Sequence, residues 1–159
     1  MKKKIFIELL EEYEKVNIYS IRIDGESQTE FEKFMLNHKE EYKRDLGILA
    51  YRLEKIANDG VFERHFRYEG KHKDRVSAIP SHIDISKIRV YCICINERIL
   101  ILGNGGLKKT RTYNMNPLLE KIVTLMKQVD QQIKNKEASG LIIIVKKNIF
   151  GELYVEINN

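Results

Sequence analysis

The chain has 159 residues, 43% apolar and 32% charged, a balance that fits a globular protein long enough to bury one sizeable core. No run approaches the roughly 18 apolar residues of a membrane span. The start, MKKKIFIELLEEYE, interrupts its short apolar piece at Glu8, Glu11 and Glu12, and no small-residue cleavage site follows. The expectation is therefore a cytoplasmic protein that neither crosses nor binds a membrane.

The net charge of +5 is unevenly spread. Arg64 to Tyr113 carries 11 Lys and Arg against 4 Asp and Glu, so the whole positive excess sits in that stretch. A polyanion-binding face has this pattern, and so does a lysine-rich surface kept for solubility. The two cysteines, Cys92 and Cys94, share one face of a strand and diverge in direction. Without further Cys or His at ligand spacing they read as buried free thiols, and no metal site is expected.

In chain order, residues 4–14 fit either a short strand or the start of a helix. Residues 17–23, NIYSIRI, alternate as a strand and close at Asp24-Gly25. Ser27-Gln-Thr-Glu30 reads as a capping box that starts a helix through Phe31, Phe34 and Met35. A second helix follows through Leu46, Leu49, Leu53 and Ile56 and stops at Gly60.

VFERHFRYEG then alternates as a strand, with Arg64, Phe66 and Tyr68 on one face and His65 and Arg67 on the other. Lys71 to Arg75 supply a basic turn, and Val76–Pro80 extends the chain before a loop. Ile88–Ile95 and Ile99–Leu102 form a buried hairpin linked at Asn96-Glu97. Asn116 and Pro117 cap a long helix with one apolar stripe from Leu118 to Ile133. LIIIVKK and ELYVEI, flanking NIFG, read as an appended C-terminal hairpin.

The order is that of an α+β protein with a mainly antiparallel sheet. It reads as a single domain over 1–159, with a core of about 17–135 and a hairpin extension of about 141–157.

After the central hairpin comes GNGGLKKTRTY, three glycines and then Lys108, Lys109, Arg111 and Tyr113. The spacing G-x-x-x-x-G-K-[ST] is not met, and neither is G-x-G-x-x-G, so no nucleotide cofactor is expected. The glycines let the strand bulge or kink and aim the cations that follow. If the Arg64–Tyr68 strand lies beside Arg89–Tyr91, cations and tyrosines converge where unpaired bases can stack. The histidines lack H-E-x-x-H spacing, and neither a G-x-S-x-G nor a Cys–His pair is present. What remains is metal-free phosphodiester chemistry: a base for the ribose 2′-OH, cations for the charge at phosphorus, and an acid for the leaving oxygen.

The run of strand, two helices, three strands with I-R-V-Y and L-I-L-G…L-K-K-T-R-T, then Asn-Pro and an amphipathic helix, resembles the RelE/HigB-like toxin superfamily. K-K-T before a Pro-containing helix start is similar to the phage-derived HigB-type pattern. The resemblance covers about residues 17–130. It implies a toxin of a toxin–antitoxin pair with a RelE-like fold, its two N-terminal helices packed on the core sheet.

By that resemblance Arg89 matches the arginine near the scissile phosphate, and Lys108 or Lys109 the basic position ending the last core strand. Tyr113 resembles a late tyrosine of ribosome-dependent members, and Lys71 and Lys73 the basic residues before the arginine strand. The implied activity is a ribosome-dependent mRNA endonuclease without small-molecule cofactor, its partners the cognate antitoxin, the ribosome and mRNA. In that scheme Arg89 with Lys108 or Lys109 stabilises the transition state, and Tyr113 or His65 moves the proton. Arg64, Arg67, Lys71, Lys73, Arg75 and Arg111 hold the RNA backbone. The alternative is a non-catalytic RelE-fold binding protein, either a ParE-like gyrase inhibitor or a benign nucleic-acid-binding relative.

Overall fold

The computed structural model describes residues 1–67, 75–81, 83–108 and 116–158. In chain order its elements are β1 (Lys2–Glu12), β2 (Asn17–Ile23), α1 (Glu30–His38), α2 (Lys43–Asp59), β3 (Val76–Ile79), β4 (Ile88–Asn96) and β5 (Ile99–Leu107). They are followed by α3 (Pro117–Ala138), β6 (Ile142–Val145), β7 (Asn148–Gly151) and β8 (Tyr154–Asn158). Among the described residues six strands form one sheet in the order β3-β4-β5-β2-β1-β8, and β6 and β7 pair separately. Every pairing in the large sheet is antiparallel except β2 with β5, which run parallel from Asn17↔Ile99 to Ser20↔Leu102. The architecture is mixed α+β, with helices on both faces of the sheet.

Burial on both faces explains the strand sequences. In β4, Tyr91, Ile93 and Ile95 join the core under α3, while Ile88, Val90 and Cys92 join the core under α1 and α2. β5 divides likewise, Ile99 and Ile101 on the α3 side and Leu100 and Leu102 on the other. A strand covered on both faces loses its polar alternation and reads as a near-continuous apolar run.

Helix ends follow local chemistry. Asn116 caps α3, its side chain accepting from the Leu118 and Leu119 N–H groups at 3.1 and 3.3 Å, with Pro117 in the first turn. The expected capping box of α1 lies two residues later than Ser27–Glu30. Thr29 Oγ1 accepts from the Glu32 N–H at 3.2 Å, and the Glu32 carboxylate accepts from the Thr29 N–H at 2.9 Å. That frame leaves Glu30 inside the fold, paired with Lys33 at 2.5 Å.

Three other expectations change. Of residues 4–14, open between strand and helix, those up to Glu12 lie in strand β1, with Ile5 and Ile7 buried toward α3. The described part of the stretch from Val61, up to Arg67, is not a strand: Glu63–His65 form a 3₁₀ turn, and Arg67 makes an isolated bridge to Ala78. NIFG is not the turn of the C-terminal hairpin but its second strand, β7. The turn is Lys146–Lys147, with Lys146 at φ 55°, and ELYVEI supplies β8, which pairs with β1 at the sheet edge.

The glycines after Leu102 do not end the hairpin. β5 runs on to Leu107, and the register shift between Val90 and Cys92 takes up an irregularity there. Gly105 is required by close approach, since a Cβ on it falls on the carbonyl of Arg89 in β4. Replacing Gly105 with Val therefore separates β4 from β5, and we expect a loss of about 1–3 kcal/mol of stability. Urea unfolding should show this as a lower midpoint, and an unchanged midpoint would show that the strands part there without cost.

Candidate nucleic-acid interface

Among the described residues the predicted cations do not converge on one face. By strand alternation Arg89 shares the α3 face with Tyr91, and its register partner on β5 is Gly106, against which Leu119 of α3 packs. Arg89 is only 2% exposed. Lys108 continues the ladder, its N–H donating to the Lys87 carbonyl at 2.7 Å, and alternation puts its side chain on the same face as Gly106 and Arg89. Unlike Arg89, Lys108 is exposed. Lys71, Lys73, Lys109, Arg111 and Tyr113 lie outside the described residues.

A groove of about 1090 Å³ opens next to this pair, past the carboxyl ends of β2 and β5. Its walls include Ile23 and Leu107 from the two strands, Glu30 from α1, Asn104, and Asn116 and Leu119 from the start of α3. The reason is topological: the chain leaves β2 for α1 on one face and β5 for α3 on the other. Parallel neighbours whose connections diverge leave a crevice at their carboxyl ends. Glu30, 6% exposed, holds Lys33 and also accepts from Asn104 Nδ2 at 3.4 Å.

His65 sits in the layer on the opposite face, over α2. Arg52 Nη1 lies 2.9 Å from His65 Nδ1, so Nδ1 accepts and the imidazole proton is on Nε2, 3.2 Å from Asp59 Oδ2. Arg52 also clamps Asp84 with Nε and Nη2 at 2.9 and 3.0 Å. Arg64 reaches Asp59 Oδ2 at 3.2 Å from the exposed side. Burial first, then the positive charges of Arg52 and Arg64, push the His65 pKa below its ordinary value.

The other predicted contacts are likewise engaged within the fold. Arg67 is buried, its Nε donating to the Pro80 carbonyl at 3.0 Å and its Nη2 to the Ser81 carbonyl at 3.2 Å. Arg75 lies 2.6–2.8 Å from Asp130 Oδ1 on α3 and 3.6 Å from Glu137. Cys92 is a buried free thiol whose pKa burial raises, and Cys94 is half-buried and free.

The acids that hold these cations were missed in the sequence reading, although one left a signal. Asp130 interrupts the apolar stripe of α3 between Val129 and Ile133, and a buried carboxylate there needs a cation. Asp84 left no such mark, because nothing in its loop announces a partner 32 residues away on α2. Among the described residues no group of three His, Cys, Asp or Glu is gathered as metal ligands, and no helix is long and apolar enough to cross a membrane.

Fold and site together define an α+β protein with a two-sided mixed sheet and a crevice at its parallel strand ends. Comparison with protein-family models, characterised proteins and solved structures finds no match for the chain.

The His65 network makes stability depend on pH with a definite sign. The folded imidazole resists protonation, while the unfolded one takes its proton near the ordinary value of 6.5. Below that value the unfolded state binds more protons than the fold. His65 should therefore favour folding fully above pH 6.5 and cost stability as pH falls through 6.5 toward its lowered folded pKa. Urea midpoints across this window are expected to fall more steeply for the wild type than for His65→Gln. Parallel profiles would remove the imidazole from the acid response.

Proposed function

We propose that the protein is the toxin-like component of a toxin–antitoxin pair, a RelE/HigB-like, ribosome-dependent mRNA endonuclease working without a metal ion. The observation that carries this reading is the position of Arg89 and Lys108 on one face of the adjacent strands β4 and β5. The element order β2-α1-α2-β3-β4-β5-α3, from a first core strand to a helix after three more strands, supports it as well. Lys109, Arg111 and Tyr113 follow Lys108 directly in the chain, so connectivity tethers them to that end of the sheet.

In this reading Lys108 and Arg89 stabilise the charge that develops at the scissile phosphate. Tyr113 handles the proton, because the Nδ1 of His65 is engaged with Arg52 and its side chain is 3% exposed on the opposite layer. The RNA backbone is held by the cations of 71–73 and 108–111. Arg64, Arg67 and Arg75 contribute indirectly, by fixing the elements that carry those segments. An antitoxin covering the basic end of the sheet completes the pair.

A second reading is favoured by the burial of Arg89 at 2% exposure and by the engagement of Arg67 and Arg75 with groups of the fold. It is a non-catalytic RelE-fold protein that binds gyrase or nucleic acid, with salt-sensitive affinity where phosphate is contacted.

Induced expression followed by primer extension separates the two. Defined cut sites in ribosome-bound message are expected, and Lys108→Ala should weaken cutting by about 10²–10³-fold, the cost of one lost transition-state donor. Lys108 is exposed, so this variant keeps the fold, whereas Arg89→Ala must first be shown to fold. DNA damage without RNA ends would transfer the assignment to a gyrase inhibitor, and no growth effect to a benign binder.

A further inference from the structure

The ribbon of β6 and β7 carries apolar side chains on both faces, with Asn148 across from Val145 on the outer one. Its inner face, Ile142 and Ile149, is buried in the core under α3, and the Ile149 N–H donates to Tyr19 Oη at 3.2 Å. On the outer face Leu141, Ile143 and Val145 recur at two-residue spacing, with Phe150 directly across from Ile143. These four are 47, 54, 49 and 53% exposed. A ribbon with one face in solvent ordinarily alternates apolar-in and polar-out, and apolar residues on both faces mark a strand layer that is covered twice. Single exposed apolar side chains are commonplace; a row of them in register is a contiguous patch.

The ribbon is also held firmly in place. At its turn Lys147 Nζ donates to the Tyr13 carbonyl at 2.6 Å and lies 3.2 Å from Glu12. At its open end Lys136 Nζ holds Glu152 and the Tyr154 carbonyl, both at 2.8 Å. An association through this face orders little chain, which removes one of the main costs of binding.

We propose that two copies of this chain associate face to face through the outer surface of this ribbon, across a twofold axis. Area argues for a second copy. Leu153, whose carbonyl accepts from the Ile7 N–H, and Leu9, on the strand face of Ile7, add exposed apolar side chains beside the ribbon. Together the six amount to on the order of 500 Å² of apolar surface, the apolar share expected of the ~800 Å² per partner in a stable interface.

Shape argues the same way. The grooves at the parallel strand ends and beside α2 are lined by other residues, and the outer row of the ribbon belongs to neither. The apolar row lies on the face of the ribbon and not along its edges, and apolar sheet faces pack against one another as stacked layers.

Sedimentation equilibrium of the full chain across micromolar concentrations tests this. Twice the single-chain mass is expected for the wild type, and a twofold fall to the single-chain mass for Phe150→Glu with unchanged circular dichroism. Ile85→Glu, at an 81% exposed isoleucine in the loop before β4, should keep the doubled mass. Should Phe150→Glu fail to fold, Ile143→Ser makes the same comparison with a milder change. A single-chain mass for the wild type at every concentration overturns the proposal. So does a folded ribbon variant that keeps the doubled mass, or loss of that mass in Ile85→Glu.

Discussion

The structure depends on the burial of β4 and β5 from both sides. Ile88, Val90 and Cys92 press on one helical layer, and Tyr91, Ile93 and Ile95 on the other, while β5 repeats the division. Each fully buried branched side chain contributes about 1.5–3 kcal/mol, so this hairpin is the main source of cohesion. It also constrains everything placed near it. Helices must lie on both faces, and a polar residue within these strands must go inside the protein. Arg89 is such a residue, one position from Ile88 and Val90 and 2% exposed.

That constraint changes what the local charge excess means. A count of Lys and Arg between 64 and 113 suggests a basic surface, but several of those cations act as internal counterions or donors. Arg75 neutralises Asp130 on α3 and so ties the loop before β3 to the helix above it. Arg67 donates to the carbonyls of Pro80 and Ser81, where the chain leaves β3. Breaking such contacts leaves a desolvated charge or carbonyl without its partner, which costs more than the contact itself contributes. Arg64 and Arg52 do similar work around Asp59 and His65. Lys108 differs from Arg67, Arg75 and Arg52 because it stands past the buried part of the ladder and remains exposed, as Arg64 does.

Elements whose signals are local were legible in the sequence. Asn116-Pro117 starts α3 because a side-chain cap and a fixed proline φ need nothing from the rest of the fold. The β4–β5 runs and the strand at 17–23 were legible from apolar pattern alone. The stretch from Phe62 to Phe66 misled because its alternation is genuine, yet the backbone turns there to bring His65 between Arg52 and Asp59. Such a turn is decided by a tertiary contact and leaves no periodic mark. The C-terminal strands misled differently. LIIIV and ELYVEI are both good strands, and only the edge of β1 decides that the second joins the large sheet. Of the candidate site, Arg89 was legible as part of a strand, whereas the extension of β5 to Leu107 beside Lys108 and the pairing of Arg75 with Asp130, 55 residues on, were not.

The crevice follows from the same two-sided burial. β2 and β5 are the parallel pair, and because each face needs a helical layer, the chain departs from them in opposite directions. The space between the start of α1 and the start of α3 is a consequence of that divergence, whatever the chain does with it. Within it Glu30 is held by Lys33 and Asn104. That buried carboxylate makes the crevice floor unfavourable to phosphate. The rim differs, since Lys108 lies where β5 ends and leads directly into Lys109 and Arg111. Exposed positive charge is therefore placed at the strand end, and a paired carboxylate lies in the crevice. The gap between the helices is chemically mixed, lined by the amides of Asn104 and Asn116, by apolar side chains such as Ile23 and Leu119, and by Lys3 and Lys121.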